Sequence, residues 1–466
     1  MSRRRALLGL GGGAVAVAAA ACSSSGVGTA AKVASSVPTP TTIPLTASQS
    51  TLGGGSFQLF AQTDLNFQTQ FALGEAGQNA CAGEVLAVVA QANAAPGGAS
   101  YQSVYDAFLA QANRLQEQAI DAQRAGRAVT AQARFIRSAK YYAQALYWVF
   151  GTSTPDANRS VCEAMDAVFA QGMRLRSLPT EQVSIPYEDS SLPGWFLKPA
   201  DDSKRRPTII MNNGSDGQNV DMLAQGGEAA LARGYNVLIF EGPGQCSQLF
   251  VKGIPFRPDW NAVLTPVVDH LLARKDVDPK GIVARGISFG GLLVPQAAAH
   301  DDRFAAIVAD PGSVDNTQNF PPVIRDCYVA DDPARTNANW KVIADGATPV
   351  ERFDLIKPMS IYSREAYAAA CKGQLVTDFH SWYTDQLRYA ILGEVPRITS
   401  PTLVTQYEGD TWFGTMPNEM FAALTTTKKE FVHFTTVNGA QGHCGPLAPQ
   451  VTNEACWDFV DGVLGR

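Results

Sequence analysis

The stretch ARGISFGGLL (residues 284–293) places Ser288 two residues after Gly286 and two before Gly290. The strand-like sequence GIVARGI leads into this serine, and the apolar helical sequence FGGLLVPQAAA follows it. Small residues at both flanking positions let a strand and a helix approach closely while the serine takes a strained conformation with an exposed hydroxyl. We interpret Ser288 as a nucleophile on a sharp strand-to-helix turn. A structural glycine turn is the alternative, because the chain contains 41 glycines.

Strands and helices alternate on both sides of this turn. The segments VSIPYED and GWFLKPA, which begin near residue 181, predict an antiparallel strand pair. Six further strands are predicted at 207–213, 235–241, 281–287, 304–310, 401–407 and 431–436. Helices are predicted at roughly 221–233, 259–275, 289–299, 415–425 and 450–463. The alternation predicts an α/β fold with a mostly parallel, doubly wound sheet covered by helices on both faces.

The segment before the sheet has a helical pattern. In residues 101–126, apolar or aromatic side chains recur three and four positions apart, and Gly126 is a natural stop. The next stretch, RAVTAQARFIRSAKYYAQALYWVFG, repeats this spacing. We predict a helical cap domain at 57–180 and a catalytic domain at 181–466. The aromatic side chains of the cap either pack in its core or cover a pocket.

A serine nucleophile needs a base, and the chain has five histidines, at 270, 300, 380, 433 and 443. His443 lies in the glycine-rich loop VNGAQGHCGPL, between the last predicted strand and the last predicted helix. This position makes it the predicted base. His380, in DFHSWY, could approach the pocket but precedes the last strands, and the other three are interpreted as structural.

The third catalytic group must orient the imidazole and stabilise its charged form. Asp410, in the turn YEGDTWFG directly after the strand PTLVTQY, completes the chain order serine, acid, histidine. Glu408 lies two residues away and could take its place. Asp310, at the end of FAAIVAD, is a weaker alternative because it lies one strand earlier.

Cleavage of an acyl bond also needs donors for a developing oxyanion. The backbone N–H of Phe289, directly after Ser288, is one candidate. The loop NNGSDG (212–217) follows the strand PTIIMNN and offers the N–H groups of Gly214 and Ser215. An ordinary Asn/Gly turn is the alternative interpretation of this loop.

The motifs NNGSDG, FEGPGQ (240–245), GISFGG (286–291), YEGD (407–410) and GAQGHC (439–444) occur together with the helical stretch described above. In this combination, the chain resembles the α/β-hydrolases with an N-terminal helical cap, the group of 2,6-dihydropseudooxynicotine hydrolase and related esterases. The resemblance spans about residues 70 to 465 and implies Ser288, Asp410 and His443 as the triad. It also implies an auxiliary carboxylate in the NNGSDG loop, where this chain has Asp216 in place of an expected glutamate.

About ninety residues between Asp310 and Pro401 exceed what a minimal sheet needs. We predict a helical lid insert at about 312–398, since inserts at this edge select substrates in such folds. Five aromatic residues of the insert either shape the pocket or pack within the insert: Phe320, Trp340, Phe379, Trp382 and Tyr383.

The first 22 residues have the layout of an export signal. Three arginines at positions 3–5 precede a weakly apolar run and AAAC, which resembles a twin-arginine signal followed by a lipoprotein lipobox ending at Cys22. Residues 23–56 are rich in Ser, Thr, Pro and Gly and predict a flexible linker. We expect an exported protein, lipidated at Cys22 in the cell envelope or secreted, with an uncleaved membrane anchor as the alternative.

Charge and composition limit the classes of molecule that the chain is expected to bind. The formal net charge is −6, and no run of lysine or arginine follows residue 5, which argues against nucleic acid and favours a small-molecule substrate. The oligomeric state stays open, with a dimer possible. We predict a serine hydrolase that needs no cofactor or metal and acts on an ester or related acyl bond. A carbon–carbon hydrolase of retro-Claisen type and a catalytically silent binding lipoprotein are the alternatives.

Overall fold

A single sheet of eight strands carries the candidate site. In the computed structural model, which describes residues 58–62 and 64–466, the strands lie in the spatial order β1-β2-β4-β3-β5-β6-β7-β8. Their bounds are β1 Thr180–Tyr187, β2 Ser190–Leu197, β3 Arg206–Asn212, β4 Asn236–Phe240, β5 Val277–Ile287, β6 Ala306–Asp310, β7 Thr402–Tyr407 and β8 Lys429–Phe434. The predicted signal (1–22), the lipidation site Cys22 and the linker (23–56) lie outside the described residues.

The strand directions confirm the predicted α/β fold class. Strand β2 pairs antiparallel with β1 and with β4, whereas every pairing from β4 through β3, β5, β6 and β7 to β8 is parallel. Strands β4, β5 and β6 consist mainly of buried apolar residues, as expected for a sheet covered on both faces. Since β3 and β5 are neighbours, the loops at their carboxyl ends meet at one edge of the sheet, where ligands bind in folds of this kind.

Seventeen helices of the described residues surround this sheet. Those of the N-terminal cap are α1 Asp64–Gly74, α2 Ala82–Asn93, α3 Tyr101–Arg124, α4 Ala128–Trp148 and α5 Asn158–Arg174. Those that cross between strands β3 and β6 are α6 Asn219–Met222, α7 Glu228–Ala232, α8 Cys246–Phe250, α9 Asn261–Leu272 and α10 Gly290–Ala298. The insert contains α11 Pro322–Arg325, α12 Pro333–Gly346, α13 Pro349–Met359, α14 Arg364–Ala370 and α15 Phe379–Gln386. The last two are α16 Met416–Ala423 and α17 Pro449–Leu464.

The predicted helix at 221–233 differs from the structure. Helices α6 and α7 are separated by a π-turn, Leu223–Gly227, in which Gly226 has a φ of 147°. A side chain at this position would lie 2.7 Å from Nη1 of Arg285 and 2.8 Å from the ring of Trp457. The helix therefore breaks where it must pass over a buried arginine, which apolar periodicity alone could not indicate.

Two further features of the described residues concern the length of the helices and the state of the cysteines. Among the described residues, no helix is both long and apolar enough to cross a membrane. The seven cysteines in the described part of the chain are free thiols.

Candidate active site

The serine turn joins β5 to α10. Strand β5 ends at Ile287 and α10 begins at Gly290, and Ser288 between them has a φ of 58°. This left-handed conformation costs a non-glycine residue free energy and is concentrated at functional sites. A Cβ on Gly286 would overlap the carbonyl oxygen of Gly290, and a Cβ on Gly290 would lie 2.7 Å from the carbonyl oxygen of Asn212. The two glycines are therefore needed for the close approach that the sequence predicts.

Three predicted residues lie in one hydrogen-bonded chain. Ser288 Oγ lies 2.8 Å from Nε2 of His443, and Nδ1 of the same ring lies 2.8 Å from Oδ2 of Asp410. The serine is partly exposed, whereas the side chains of His443 and Asp410 are 8% and 3% exposed. The base is thus shielded from water on the side of its acid and faces the serine on the other side.

Backbone donors fix the Asp410 carboxylate. Its Oδ1 accepts the N–H groups of Trp412, at 2.9 Å, and Phe413, at 3.2 Å, which leaves Oδ2 for the imidazole. Burial raises the pKa of Asp410, but His443 and the two N–H groups outweigh burial, so this pKa lies below its ordinary value. Asp410 therefore stays ionised beside the ring.

The His443 imidazole has the opposite shift. Burial lowers the pKa of His443, but the Asp410 carboxylate more than offsets burial, and the pKa lies above its ordinary value. Trp412 and Phe413 contact the ring edge to face, with centroids 5.1 and 4.8 Å from it. These two residues therefore both orient the acid through their N–H groups and enclose the base with their rings.

Glu408, the alternative acid, and His380, the alternative base, have partners outside the triad. The Glu408 carboxylate accepts the N–H of Thr436 at 2.6 Å, and Glu408 is exposed. His380 Nε2 lies 2.9 Å from the carbonyl oxygen of Ala330, within the insert.

Asp310 belongs to a buried ion pair. Its Oδ2 lies 2.6 Å from Nη2 of Arg285, and both side chains are 1% exposed. Its Oδ1 accepts the hydroxyls of Thr405, at 2.6 Å, and Tyr407. Asp310 therefore has no free oxygen with which to orient a histidine.

The oxyanion prediction needs one correction. The N–H groups of Phe289 and Ser215 have no acceptor among the described residues. The Gly214 N–H instead donates to Oδ1 of Asn213 at 2.8 Å. A Cβ on Gly214 would lie 2.8 Å from the Cβ of Ser288, so Gly214 contributes space beside the nucleophile rather than a donor.

Comparisons with known proteins find similar sequences around the serine turn. A profile of the prolyl oligopeptidase family matches residues 230–321, which include the serine turn. Hydrolase LUC6 from a Fusarium species is 31% identical over 267 residues, which are 55% of this chain and 62% of the relative. Hydrolase acrC from Aspergillus aculeatus is 33% identical over 247 residues, 49% of this chain and 56% of the relative. The chain has the α/β-hydrolase fold.

A solved structure extends the likeness to the cap. The crystal structure of 2,6-dihydroxy-pseudo-oxynicotine hydrolase has a TM-score of 0.60 at 17% sequence identity and covers 86% of this chain and 96% of its own. At this identity the likeness establishes the fold, and it confirms the predicted resemblance. The chain spans 62% or less of the length of the two curated relatives.

The predicted auxiliary residue, Asp216, forms an ion pair with Lys357 of α13 in the insert. The other carboxylate oxygen of Asp216 accepts the Ser215 hydroxyl at 3.1 Å. Lys357 Nζ also lies 4.0 Å from the centroid of the Tyr147 ring in α4. The sequence analysis missed Lys357, because the topology alone brings it to the oxyanion loop from 141 residues away.

The five insert aromatics pack mainly on one another. Trp340 stacks on Phe379 with centroids 4.5 Å apart, and Trp382 contacts Phe320 at 5.4 Å and Phe379 at 5.6 Å. Of the two alternatives, the structure favours the insert core. Two other insert residues, Tyr362 and Tyr389, contact the Phe289 ring, each with centroids 5.5 Å from it.

A buried charge cluster joins the cap to the oxyanion loop. Lys140 of α4 is 1% exposed, and its Nζ lies 2.9 Å from Oε1 of Glu75 and 2.7 Å from Oδ1 of Asp221. Oδ2 of Asp221 accepts the N–H of Gln218, three residues after Ser215. The sequence feature that could have indicated this cluster is Lys140, which lies four residues after Ile136 on the apolar face of α4.

Proposed function

We propose that this α/β-hydrolase cleaves an ester or related acyl bond of a small molecule through a covalent acyl-enzyme on Ser288. The observation that carries the proposal is the hydrogen-bonded chain from Asp410 through His443 to the Ser288 hydroxyl, which lies on a strained turn. A nucleophile, a base and a group that orients the base are the requirements for activating a hydroxyl.

Each residue has a defined part in the reaction. His443 Nε2 takes the Ser288 proton as Oγ attacks the carbonyl carbon, and Asp410 stabilises the imidazolium that forms. The N–H groups of Phe289 and Ser215 donate to the oxyanion of the tetrahedral intermediate. His443 then returns the proton to the leaving oxygen as the carbon–oxygen bond breaks. A water molecule, deprotonated by the same nitrogen, releases the acyl group and restores Ser288.

The deciding experiment is labelling with a fluorophosphonate probe. Wild-type protein should be labelled on Ser288, and Ser288→Ala should be unlabelled, with stability within about 1 kcal/mol of wild type. The matched control is Ser313→Ala, since Ser313 also lies near the strand ends but is buried, with its hydroxyl on the Met416 sulfur. Full labelling of Ser288→Ala would refute the assignment, and an unlabelled, inactive wild type would favour the silent binding lipoprotein.

A second candidate function is carbon–carbon hydrolysis of a 1,3-dicarbonyl compound. The ion pair of Asp216 with Lys357, beside the oxyanion loop, favours it, because a carbon leaving group needs a placed polar residue to guide its protonation. Mass spectrometry of products from a panel of esters, amides and 1,3-diketones separates the two functions. Turnover of diketones alone, lost in Asp216→Asn, would replace the ester assignment.

We also propose that the enzyme is exported and attached to the membrane through a lipid on Cys22, as the lipobox-like sequence suggests. Fractionation of cells that express the full chain tests this proposal. Cys22→Ala should move the protein to the soluble fraction, because a lipid on Cys22 and not the signal segment would hold it. Retention of this variant in the membrane would favour an uncleaved anchor.

A further inference from the structure

The glutamine that ends the motif FEGPGQ (240–245) has no part in the mechanism described above. Strand β4 ends at Phe240 and α8 begins at Cys246, so the motif forms the turn at the carboxyl end of β4. Gln245 is 2% exposed, although glutamine is mostly found at protein surfaces. A buried amide needs hydrogen-bond partners, and its partners indicate its role.

Both ends of the Gln245 amide have partners. Its Oε1 accepts the N–H of Gly242 at 2.9 Å, within the same turn. Its Nε2 donates to the carbonyl oxygen of Asn213 at 2.6 Å and lies 3.5 Å from that of Gly214. Because one end faces a donor and the other faces acceptors, the opposite orientation of the amide would not fit. The side chain therefore connects the turn after β4 to the oxyanion loop after β3.

The two carbonyl groups that Gln245 contacts belong to consecutive peptide units of the oxyanion loop. In the first unit, the Asn213 carbonyl is held by Gln245 and the Gly214 N–H by the Asn213 side chain. The second unit consists of the Gly214 carbonyl and the Ser215 N–H. A trans peptide unit is planar, so its carbonyl and its N–H point in opposite directions. Contacts on the carbonyl side therefore set the direction of the Ser215 N–H.

The oxyanion loop lies directly against the serine turn. A Cβ on Gly214 would lie 2.8 Å from the Cβ of Ser288 and 2.9 Å from the backbone nitrogen of Phe289. A shift of the loop would consequently move the Ser215 N–H relative to both the nucleophile and the Phe289 N–H. A displacement of about 1 Å in such a site can reduce the rate about 10²-fold.

We propose that Gln245 is a positioning residue that holds the Ser215 N–H in the direction of the oxyanion. The proposal rests on the proposed function, in which the N–H groups of Phe289 and Ser215 bind the oxygen of the tetrahedral intermediate. Gln245 acts through the Asn213 and Gly214 carbonyls and not on the triad. Its removal should therefore weaken binding of the transition state, in which the oxyanion forms, and leave binding of the substrate nearly unchanged.

The variant Gln245→Met tests this role, because methionine has a similar length and lacks the amide. For an aryl ester, kcat should fall about 10²-fold while KM stays near the wild-type value. The acid limb of the kcat/KM profile should lie at the wild-type pH, since the contact between His443 and Asp410 is retained. The matched control is Gln248→Met in α8. Gln248 is also 2% exposed, but its Oε1 accepts from Lys252 at 3.3 Å, so this variant should keep the wild-type kcat.

Binding of a trifluoromethyl ketone tests the positioning role without turnover. The Ser288 oxygen adds to the carbonyl carbon of this ketone, the serine proton passes to His443, and the ketone oxygen becomes an oxyanion. In Gln245→Met, the affinity for the ketone should fall by about the same factor as kcat/KM for the ester. The affinity for the corresponding trifluoromethyl carbinol, to which the serine cannot add, should stay unchanged.

Thermal unfolding shows whether Gln245→Met is folded, and Gln245→Leu provides a second variant. The positioning role would be overturned by a wild-type kcat in a folded variant, by a displaced acid limb, or by failure of both variants to fold. A wild type that hydrolyses no ester, but whose affinity for the trifluoromethyl ketone depends on Gln245, would instead contradict the proposed function and leave the positioning role standing.

Discussion

Asp310 and Asp410 lie at the ends of neighbouring strands, yet their carboxylates have opposite surroundings. Asp310 ends β6, and both of its oxygens are occupied, by Arg285 on one side and by the Thr405 and Tyr407 hydroxyls on the other. Asp410 follows β7, and its Oδ2 has only the His443 ring as its partner. The first carboxylate neutralises a buried cation, whereas the second faces an imidazole, a group that can gain or lose a proton.

The comparison shows why position at a strand end does not identify a catalytic acid. A buried carboxylate is stable when it is fully hydrogen-bonded and paired, and Asp310 meets this condition without any catalytic role. What distinguishes Asp410 is that backbone N–H groups hold one oxygen in place and leave the other directed at an imidazole. The predictions below separate these two roles.

The largest expected effect is the loss of activity in Asp410→Asn. The asparagine can retain the contacts with the N–H groups of Trp412 and Phe413 but cannot stabilise the imidazolium, so kcat/KM for an aryl ester should fall about 10⁴-fold. The free energy of unfolding should change much less, by about 1 kcal/mol. Steady-state kinetics and urea denaturation measure the two effects. A mild kinetic loss together with severe destabilisation would make Asp410 a structural residue.

The second prediction is that Asp310→Asn lowers the stability of the fold. Removing this carboxylate leaves the buried Arg285 charge uncompensated, so the free energy of unfolding should fall by about 3–5 kcal/mol. Urea denaturation measures the change. Asp345→Asn is the control, since it breaks an exposed pair with Lys341 that contributes little. An unchanged unfolding midpoint in Asp310→Asn would show that the ion pair does not stabilise the fold.

The third prediction concerns pH. In the proposed mechanism neutral His443 is the base, and Asp410 raises its pKa, so wild-type kcat/KM should rise with pH through this raised pKa. In Asp410→Asn, burial acts without the opposing carboxylate, and the acid limb of the profile should move to lower pH. For Asp310→Asn protein that remains folded, the acid limb of the kcat/KM profile should lie at the same pH as in wild type. A limb that moves to higher pH in Asp410→Asn would contradict the assigned pair.

The smallest effect is expected for Glu408→Gln. The glutamine oxygen can still accept the Thr436 N–H at this exposed position, so kcat/KM should stay at the wild-type value and stability should change by about 0.5 kcal/mol or less. The same aryl-ester assay measures it. If this substitution reduced turnover more than Asp410→Asn, the acid would be Glu408.

The parts of the fold that depend on local pattern were predictable from the sequence. Apolar runs between helical segments located the strands to within a few residues, and the order of Ser288, Asp410 and His443 along those strands indicated which groups meet. The sequence alone could not decide between Asp410 and Asp310. The Asp310 carboxylate is paired with Arg285, a charged residue in β5, and the apolar pattern of that strand gives no indication of the pair.

Other features depend on side-chain contacts that no local pattern encodes. The Gly214 N–H is engaged by its neighbour Asn213, which can be seen only once the loop conformation is known. Lys357 reaches Asp216 from a helix of the insert, and Lys140 reaches Asp221 from the cap. Each is a long-range pairing of charges, and many pairings are compatible with one sequence.

The Lys140 cluster has a consequence for how substrate reaches the serine. Swinging α4 away from the sheet would separate its ammonium from Glu75 or Asp221 and expose buried charges, and it would pull on the loop that carries Ser215. We therefore expect the cap to keep its position while substrate enters and product leaves. Traffic of substrate and product is then expected on the side of the insert, whose displacement would separate Lys357 from Asp216 and Phe353 and Tyr367 from the cap but would expose no ion pair as buried as that of Lys140. A cross-link that immobilised the insert would slow turnover, whereas one between α4 and α6 would leave it unchanged.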